Sequence, residues 1–239
     1  MSRVLFSFEV PINHLEEFDE YQDFYFTLAQ MFKDKRYKEF YMTSRKPVWL
    51  DNGANEQGYP CSVMELAVLL HEGDFTHFLL PDFPDLWSNP ATKALASELM
   101  RMYRREYSSI WLYNATPVPV CYDETDIVES VGLGYRTIAL PYDVDRSRLL
   151  EFVKGKDVYV HLLGYRQAGE LEHPNVVSID TSFPIKLAMG GIPWNPSMAR
   201  DPKGLKTTNN YFYQTLTPEQ VKLAIKNIQA MKDYAYSIT

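Results

Sequence analysis

Short apolar runs alternate with amphipathic segments along most of the chain, and this alternation limits the fold more than any other feature. Strand-like runs occupy residues 3–10, 47–51, 75–80, 116–122, 135–140, 157–163 and 176–179, with a further pattern near 39–43. Helical spacing of apolar residues covers 14–32, 63–70, 91–107, 147–153 and a last segment ending near 236. Strands that alternate with helices pair in parallel. We therefore expect an α/β protein.

The number of repeats decides which α/β fold is expected. About eight βα units in 239 residues predict one domain, residues 1–239, folded as a single (β/α)₈ TIM-type barrel with a C-terminal helix. Thr217 is the predicted N-cap of that helix and Gln220 its capping-box partner. A doubly wound open sheet is the alternative. No GxGxxG or P-loop follows the first strand, which disfavours a nucleotide-binding open sheet.

Composition excludes several classes of protein. The net charge of −7 argues against a broad nonspecific nucleic-acid surface, although a local basic groove stays open. The two cysteines, Cys61 and Cys121, are too few for a disulfide framework or a four-cysteine zinc site. The N-terminus lacks a signal-peptide pattern and no window reaches 18 apolar residues. We expect a cytoplasmic protein with no membrane partner, no metal and no cofactor.

Acidic residues follow several of the predicted strands. Asp51, Asp82, Asp143 and Asp180 each lie at or just beyond a strand's carboxyl end. In a barrel those ends converge on one face, where catalytic groups come from several strands. An Asp-Asn-Gly sequence such as Asp51-Asn52-Gly53 is also typical of a plain turn. Four acids on one face favour a pocket for cationic or amidine-like ligands and general acid/base chemistry at a sugar or base.

Three of these acids lie in motifs that point to one family. Asp51 opens the run DNGANE, Asp82 lies in LLPDFPD, and Asp180 precedes Pro184 by four residues and Lys186 by six. These runs resemble the motifs of the tRNA-guanine transglycosylases and of relatives that insert 7-deazaguanine bases into phage and bacterial DNA. The family signature Asp-Ser-Gly-Gly-Phe-Gln is similar to DNGANE, and the family's nucleophile motif is similar to the run after Asp180.

The resemblance implies a barrel enzyme that exchanges a guanine through a covalent bond between an aspartate and the sugar C1′. It implies that Asp180 is the nucleophile and Asp51 the general acid/base. Asp82 would accept hydrogen bonds from the base, and Lys186 would meet a phosphate. The expected substrate contacts are Asn52, Gly53, Glu56, Asp82, Cys121, Gly164 and Lys186. A free 7-deazaguanine-type base and a nucleic acid or nucleotide are the expected partners.

Several departures from the family pattern leave alternatives open. Asn55 stands where the family has the phenylalanine that stacks on the base, and Cys121-Tyr122 where it has Gln-Gly. The family's zinc ligands are missing, and no RNA-binding domain is apparent, which favours DNA over intact tRNA. An N-glycosidase or nucleoside hydrolase, and a non-catalytic base- or nucleotide-binding protein, are the alternatives. A phage-encoded protein acting in the host cytoplasm, alone, as a homodimer or with an accessory subunit, fits these features.

Overall fold

The structure is a computed structural model that describes residues 3–108, 114–199 and 209–238. The strands in these ranges are β1 (Leu5–Phe8), β2 (Tyr25–Leu28), β3 (Val48–Asp51), β4 (His77–Leu79), β5 (Thr116–Val118), β6 (Thr137–Pro141), β7 (Tyr159–Leu163) and β8 (Val176–Thr181). The α-helices are α1 (Leu15–Phe18), α2 (Lys35–Met42), α3 (Ala54–Gln57), α4 (Val63–Glu72), α5 (Pro84–Ser88), α6 (Lys93–Tyr107), α7 (Glu124–Gly132), α8 (Arg146–Val153), α9 (Phe183–Met189), α10 (Asn209–Phe212) and α11 (Pro218–Ser237). Single 3₁₀ turns cover Ile12–His14, Asp19–Tyr21, Ala29–Lys33 and Ala168–Glu172.

The strands form two separate four-stranded parallel sheets, ordered β1-β8-β7-β6 and β2-β3-β4-β5. The α/β prediction is confirmed, but the prediction of a single closed TIM-type barrel is wrong. Open parallel sheets of the Rossmann-like, doubly wound kind, which were the alternative, describe the fold better. Alternation along the sequence predicts parallel neighbours, but it does not determine whether the sheet closes.

Pro117 in β5 and Pro119 just after it explain why one sheet ends there. The even-numbered residues of β5 bond toward β4, whereas Pro117 and Pro119 face the opposite side. On that side Ala139 donates its N–H to the Pro119 carbonyl at 2.9 Å. Proline has no N–H to return. Pairing beyond β5 is therefore reduced to one isolated bridge, between Val120 and Ala139.

Side chains close the outer edge of β1. The Phe8 N–H donates to Gln22 Oε1 at 2.6 Å, and Gln22 Nε2 donates to the Phe8 carbonyl at 2.9 Å. The Phe6 N–H donates to Asp23 Oδ2 at 2.9 Å. These side chains satisfy the backbone groups that a neighbouring strand would otherwise pair, so β1 remains the last strand of its sheet.

The chain divides into two compact units. The first comprises Met1–Phe24 and Leu140–Thr239, and the second comprises Tyr25–Ala139. In the first unit α11 packs on α9. The prediction that residues 1–239 form one domain stays a prediction. Among the helices of the described ranges, none combines the length and apolar content needed to cross a membrane.

The largest error in the predicted elements lies near the N-terminus. Residues 14–32 were expected to form one helix, but they contain short helical turns and the strand β2. All four residues of β2 are buried, so the segment has no polar face to reveal its period. The strand expected near 39–43 is part of α2, which Asp34 caps by accepting from the backbone N–H groups of Arg36 and Tyr37. The Thr217–Gln220 capping box is confirmed.

Candidate functional site

The carboxyl ends of β3 and β4 bring Asn52 and Asp82 together in the second unit. Asn52 Nδ2 donates to Asp82 Oδ1 at 2.9 Å and to the Leu80 carbonyl at 2.8 Å. The Tyr122 hydroxyl donates to Asp82 Oδ2 at 2.5 Å. All three polar side chains are buried. Two neutral donors therefore hold both oxygens of the Asp82 carboxylate, which fixes its plane and stabilises its charge.

The turn after β3 orders the predicted signature residues. Asn52 Oδ1 accepts the Ala54 N–H at 2.8 Å, and Gly53 has a φ of 74°, a conformation that favours glycine. Asp51 is the last residue of β3 and is buried. Glu56 lies in α3, where its Oε1 accepts from Asn55 Nδ2 at 3.0 Å. Asn52 and Gly53 thus form a short connection between β3 and α3, and such a connection does not exclude a binding role.

Gln30 is a candidate residue that the sequence did not reveal. It lies in the 3₁₀ helix that follows β2, and its side chain lies against Gly53. The residue is 8% exposed, yet neither Oε1 nor Nε2 has a hydrogen-bond partner within the described residues. Buried polar groups are nearly always paired in native proteins, so an exception calls for an explanation. The signal was hidden because β2 was predicted as part of a helix.

The first unit places Asp180 at the carboxyl end of β8. One of its oxygens, Oδ1, accepts from His161 Nε2 at 3.1 Å and from the Gly164 backbone N–H at 3.2 Å. Its other oxygen, Oδ2, has no hydrogen-bond partner within the described residues and is not fully buried. Asp180 is 5% exposed. The carboxylate is thus anchored through one oxygen, and the second has no hydrogen-bond partner within the described residues.

His161 is held from both sides. Its Nδ1 lies 2.9 Å from Ser178 Oγ, and its ring packs edge-on to Phe24 with centroids 6.1 Å apart. His161 is completely buried. A histidine within an apolar run is typically a core residue with paired nitrogens, and both nitrogens of His161 have hydrogen-bond partners. The structure also shows that one of the two partners is the predicted nucleophile.

Arg146 holds the end of β7 and Gly164, which follows it, through hydrogen bonds to their backbone. Its completely buried guanidinium pairs with Glu170 at 3.1 Å and donates to four carbonyl oxygens, those of Leu140, Pro141, Leu163 and Gly164. Burial lowers the Arg146 pKa from its usual value, and the Glu170 carboxylate opposes that shift. The loop that presents the Gly164 N–H is therefore fixed. Nothing in the sequence indicated this role, because Arg146 only precedes the helix predicted over 147–153.

The remaining predicted residues lie in varied surroundings. Lys186 lies in α9, with its Nζ 5.1 Å from the ring centroid of Tyr211. Cys121 is completely buried, and this burial raises its thiol pKa to about 12, which makes it a poor nucleophile. Asp143 is exposed in a turn. Within the ranges that the structure describes, no three His, Cys, Asp or Glu side chains are grouped to hold a metal ion.

The two units contribute different candidate residues. The second unit contains Asp51, Asn52, Gly53, Glu56, Asp82 and Cys121, and the first contains Gly164, Asp180 and Lys186. The structure brings Asn52 into contact with Asp82, and Gly164 into contact with Asp180. No known family model matches the chain, and no curated protein is similar to it at a significant level.

Proposed function

We propose that the protein exchanges a guanine-type base for a 7-deazaguanine in DNA, with Asp180 as the nucleophile. The observation that carries the proposal is the asymmetric anchoring of Asp180. Its Oδ1 is held by His161 and Gly164, and its Oδ2 has no partner within the described residues. A nucleophilic carboxylate needs a fixed plane and one unhindered oxygen, so this arrangement suits attack on an anomeric carbon.

The exchange proceeds in two displacements. Asp180 Oδ2 forms a bond to C1′ as the C1′–N9 bond breaks, and the departing guanine takes the bonding electron pair and a proton from a general acid. That acid is the role implied for Asp51. The incoming base then bonds to C1′ through its own N9, returns a proton to the same group, and releases the Asp180 carboxylate. No metal or redox cofactor takes part in these steps.

The neutral donors around Asp82 support its proposed role in base recognition. Asn52 and Tyr122 orient the carboxylate. A carboxylate accepts readily from the ring N–H and exocyclic amine of a guanine-like base. Asp82→Asn places a donor where an acceptor is required, so it should raise the KM for the incoming base, whereas Asp51→Asn should lower kcat.

Incorporation of a labelled 7-deazaguanine base into guanine-containing duplex DNA tests the proposal. Asp180→Asn keeps the size of the side chain and removes the nucleophile, so incorporation should stop. Asp143→Asn is the matched control, because Asp143 is an exposed acid that follows another strand of the same unit. Wild-type protein and DNA without added base should form an adduct that survives denaturation.

Other results would point to other functions. Incorporation that survives in Asp180→Asn contradicts the assigned nucleophile. Release of free base with no incorporation indicates an N-glycosidase or nucleoside hydrolase. Tight binding of the base or of a nucleotide, with no turnover of DNA, RNA or nucleoside, indicates a non-catalytic binding protein.

A further inference from the structure

A chain of three buried side chains crosses from β7 to β8 in the first unit. Ser178 Oγ lies 2.9 Å from His161 Nδ1, and His161 Nε2 lies 3.1 Å from Asp180 Oδ1. Ser178, His161 and Asp180 are 2%, 0% and 5% exposed. A serine that is buried within a strand cannot reach a substrate, so the chain is not a serine-hydrolase triad. Asp180, which lies near the carboxyl end of β8, is the member of the chain that the proposed function assigns to the reaction.

The hydrogen-bond capacities of these groups determine where the protons lie. A carboxylate oxygen only accepts, so His161 must carry its hydrogen on Nε2 to bond Asp180. In a neutral ring Nδ1 is then an acceptor, and the Ser178 hydroxyl can donate to it. This assignment pairs both ring nitrogens without placing a second charge in the strand interior. The opposite tautomer would set the lone pair of Nε2 against the carboxylate.

We infer that His161 is a positioning residue for Asp180, kept in its Nε2–H tautomer by Ser178. This inference rests on the proposed function, because Asp180 is assigned there as the nucleophile. The His161 N–H and the Gly164 N–H converge on the same carboxylate oxygen. They fix the plane of the carboxylate, and Oδ2, the oxygen proposed to attack the anomeric carbon, has no hydrogen-bond partner within the described ranges. Asp180 can therefore attack without first breaking a hydrogen bond at the reacting oxygen.

The backbone also takes part in this arrangement. A register shift between Val160 and His161 sets His161 opposite Ser178 rather than opposite Val177. Register partners in a parallel pair project from the same face, and so do residues two apart on one strand. The shift thus brings His161 onto the face that carries Ser178 and Asp180. A bulge that re-aims one side chain toward a functional group is a recognised use of strand irregularity.

Two substitutions of His161 distinguish the effect of its Nε2–H donor from the effect of the size of its ring. His161→Gln can place its Nε2 where the imidazole Nε2 lies, whereas the shorter His161→Asn reaches only the region of Nδ1. We expect His161→Gln to keep kcat within about fivefold of wild type, and His161→Asn to lower kcat about a hundredfold with little change in KM, as for a displaced reacting group. Equal kcat losses in both variants, or a loss confined to KM, would overturn the inference.

A measurement on the wild-type protein does not depend on activity or on the folding of a variant. Two-bond ¹H–¹⁵N correlation spectra of ¹⁵N-histidine-labelled protein at pH 7.5 report which ring nitrogen carries the proton. His161 should show a protonated Nε2 and an unprotonated Nδ1, and the signal should shift in Asp180→Asn and Ser178→Ala. A proton on Nδ1 alone, or on both nitrogens, overturns the inference even if exchange activity is found. The expected spectrum in a protein without exchange activity refutes the proposed function instead.

Discussion

Replacing Gln30 with methionine should stabilise the protein. Gln30 is 8% exposed, and neither of its amide atoms has a partner within the described residues. A buried polar group without a partner costs about 1–3 kcal/mol. Gln30→Met removes both polar atoms, keeps the length of the side chain, and adds a flexible group that adapts to irregular space. We expect the free energy of unfolding to rise by about 1–3 kcal/mol.

Gln22→Met provides the matched control. Gln22 is 5% exposed, and its amide bonds both backbone groups of Phe8. The same substitution there leaves a buried N–H and C=O unpaired, so it should destabilise by about 1–3 kcal/mol. Urea titrations followed by circular dichroism give both values, provided that the dependence of the free energy on urea is unchanged. A loss of stability in Gln30→Met comparable to that in Gln22→Met would refute the reasoning, since it would mean that the Gln30 amide is satisfied.

Two further predictions concern backbone strain and alkaline pH. Gly53→Ala should destabilise about 0.5–1.5 kcal/mol more than Gly155→Ala in the same titrations, because it forces the Gln30 side chain off its rotamer. Both glycines have a φ of 74°, but a Cβ at Gly53 would lie 2.1 Å from Gln30 Oε1, whereas one at Gly155 meets nothing within 4 Å. Equal losses of stability in the two variants would show that Gln30 moves aside freely. Burial raises the Cys121 pKa to about 12. Above about pH 9 the thiol is therefore deprotonated in the unfolded chain but still protonated in the folded protein. The free energy of unfolding should then fall by about 1.4 kcal/mol per pH unit until about pH 12. Cys121→Ala should remove that component of the slope between pH 9 and 10.5, and an unchanged slope would contradict the shift.

The sequence predicted a strand correctly where the apolar run ends in a polar residue. The strands β3 and β6 to β8 lie within or beside predicted apolar runs, because each run ends in a turn residue or an acid. By contrast, β2 was missed because it is buried on both faces and is flanked by aromatic residues at helical spacing. Whether the sheet closes into a barrel could not be predicted from the sequence either, since closure depends on which side of β5 Pro117 and Pro119 face.

The acidic residues of the candidate site could be predicted from the sequence, but the side chains that hydrogen-bond to them could not. Asp51, Asp82 and Asp180 were found because each lies at or just beyond the end of a predicted strand, where backbone regularity ends and a polar group becomes tolerable. Their neighbours come from other elements: Tyr122 follows β5, and His161 lies inside β7. Such contacts depend on strand order and register, which one sequence does not encode in any local pattern.

The register of β7 against β8 determines which side chains His161 contacts. With regular pairing after Val160, His161 would face Val177, and its ring would project from the face opposite Asp180. The shift of one residue instead aligns it with Ser178 and within 3.1 Å of the carboxylate. A histidine in an apolar run therefore predicts burial correctly and says nothing about function. The local irregularity of the strand, which only the structure reveals, decides whether that buried ring contacts the Asp180 carboxylate.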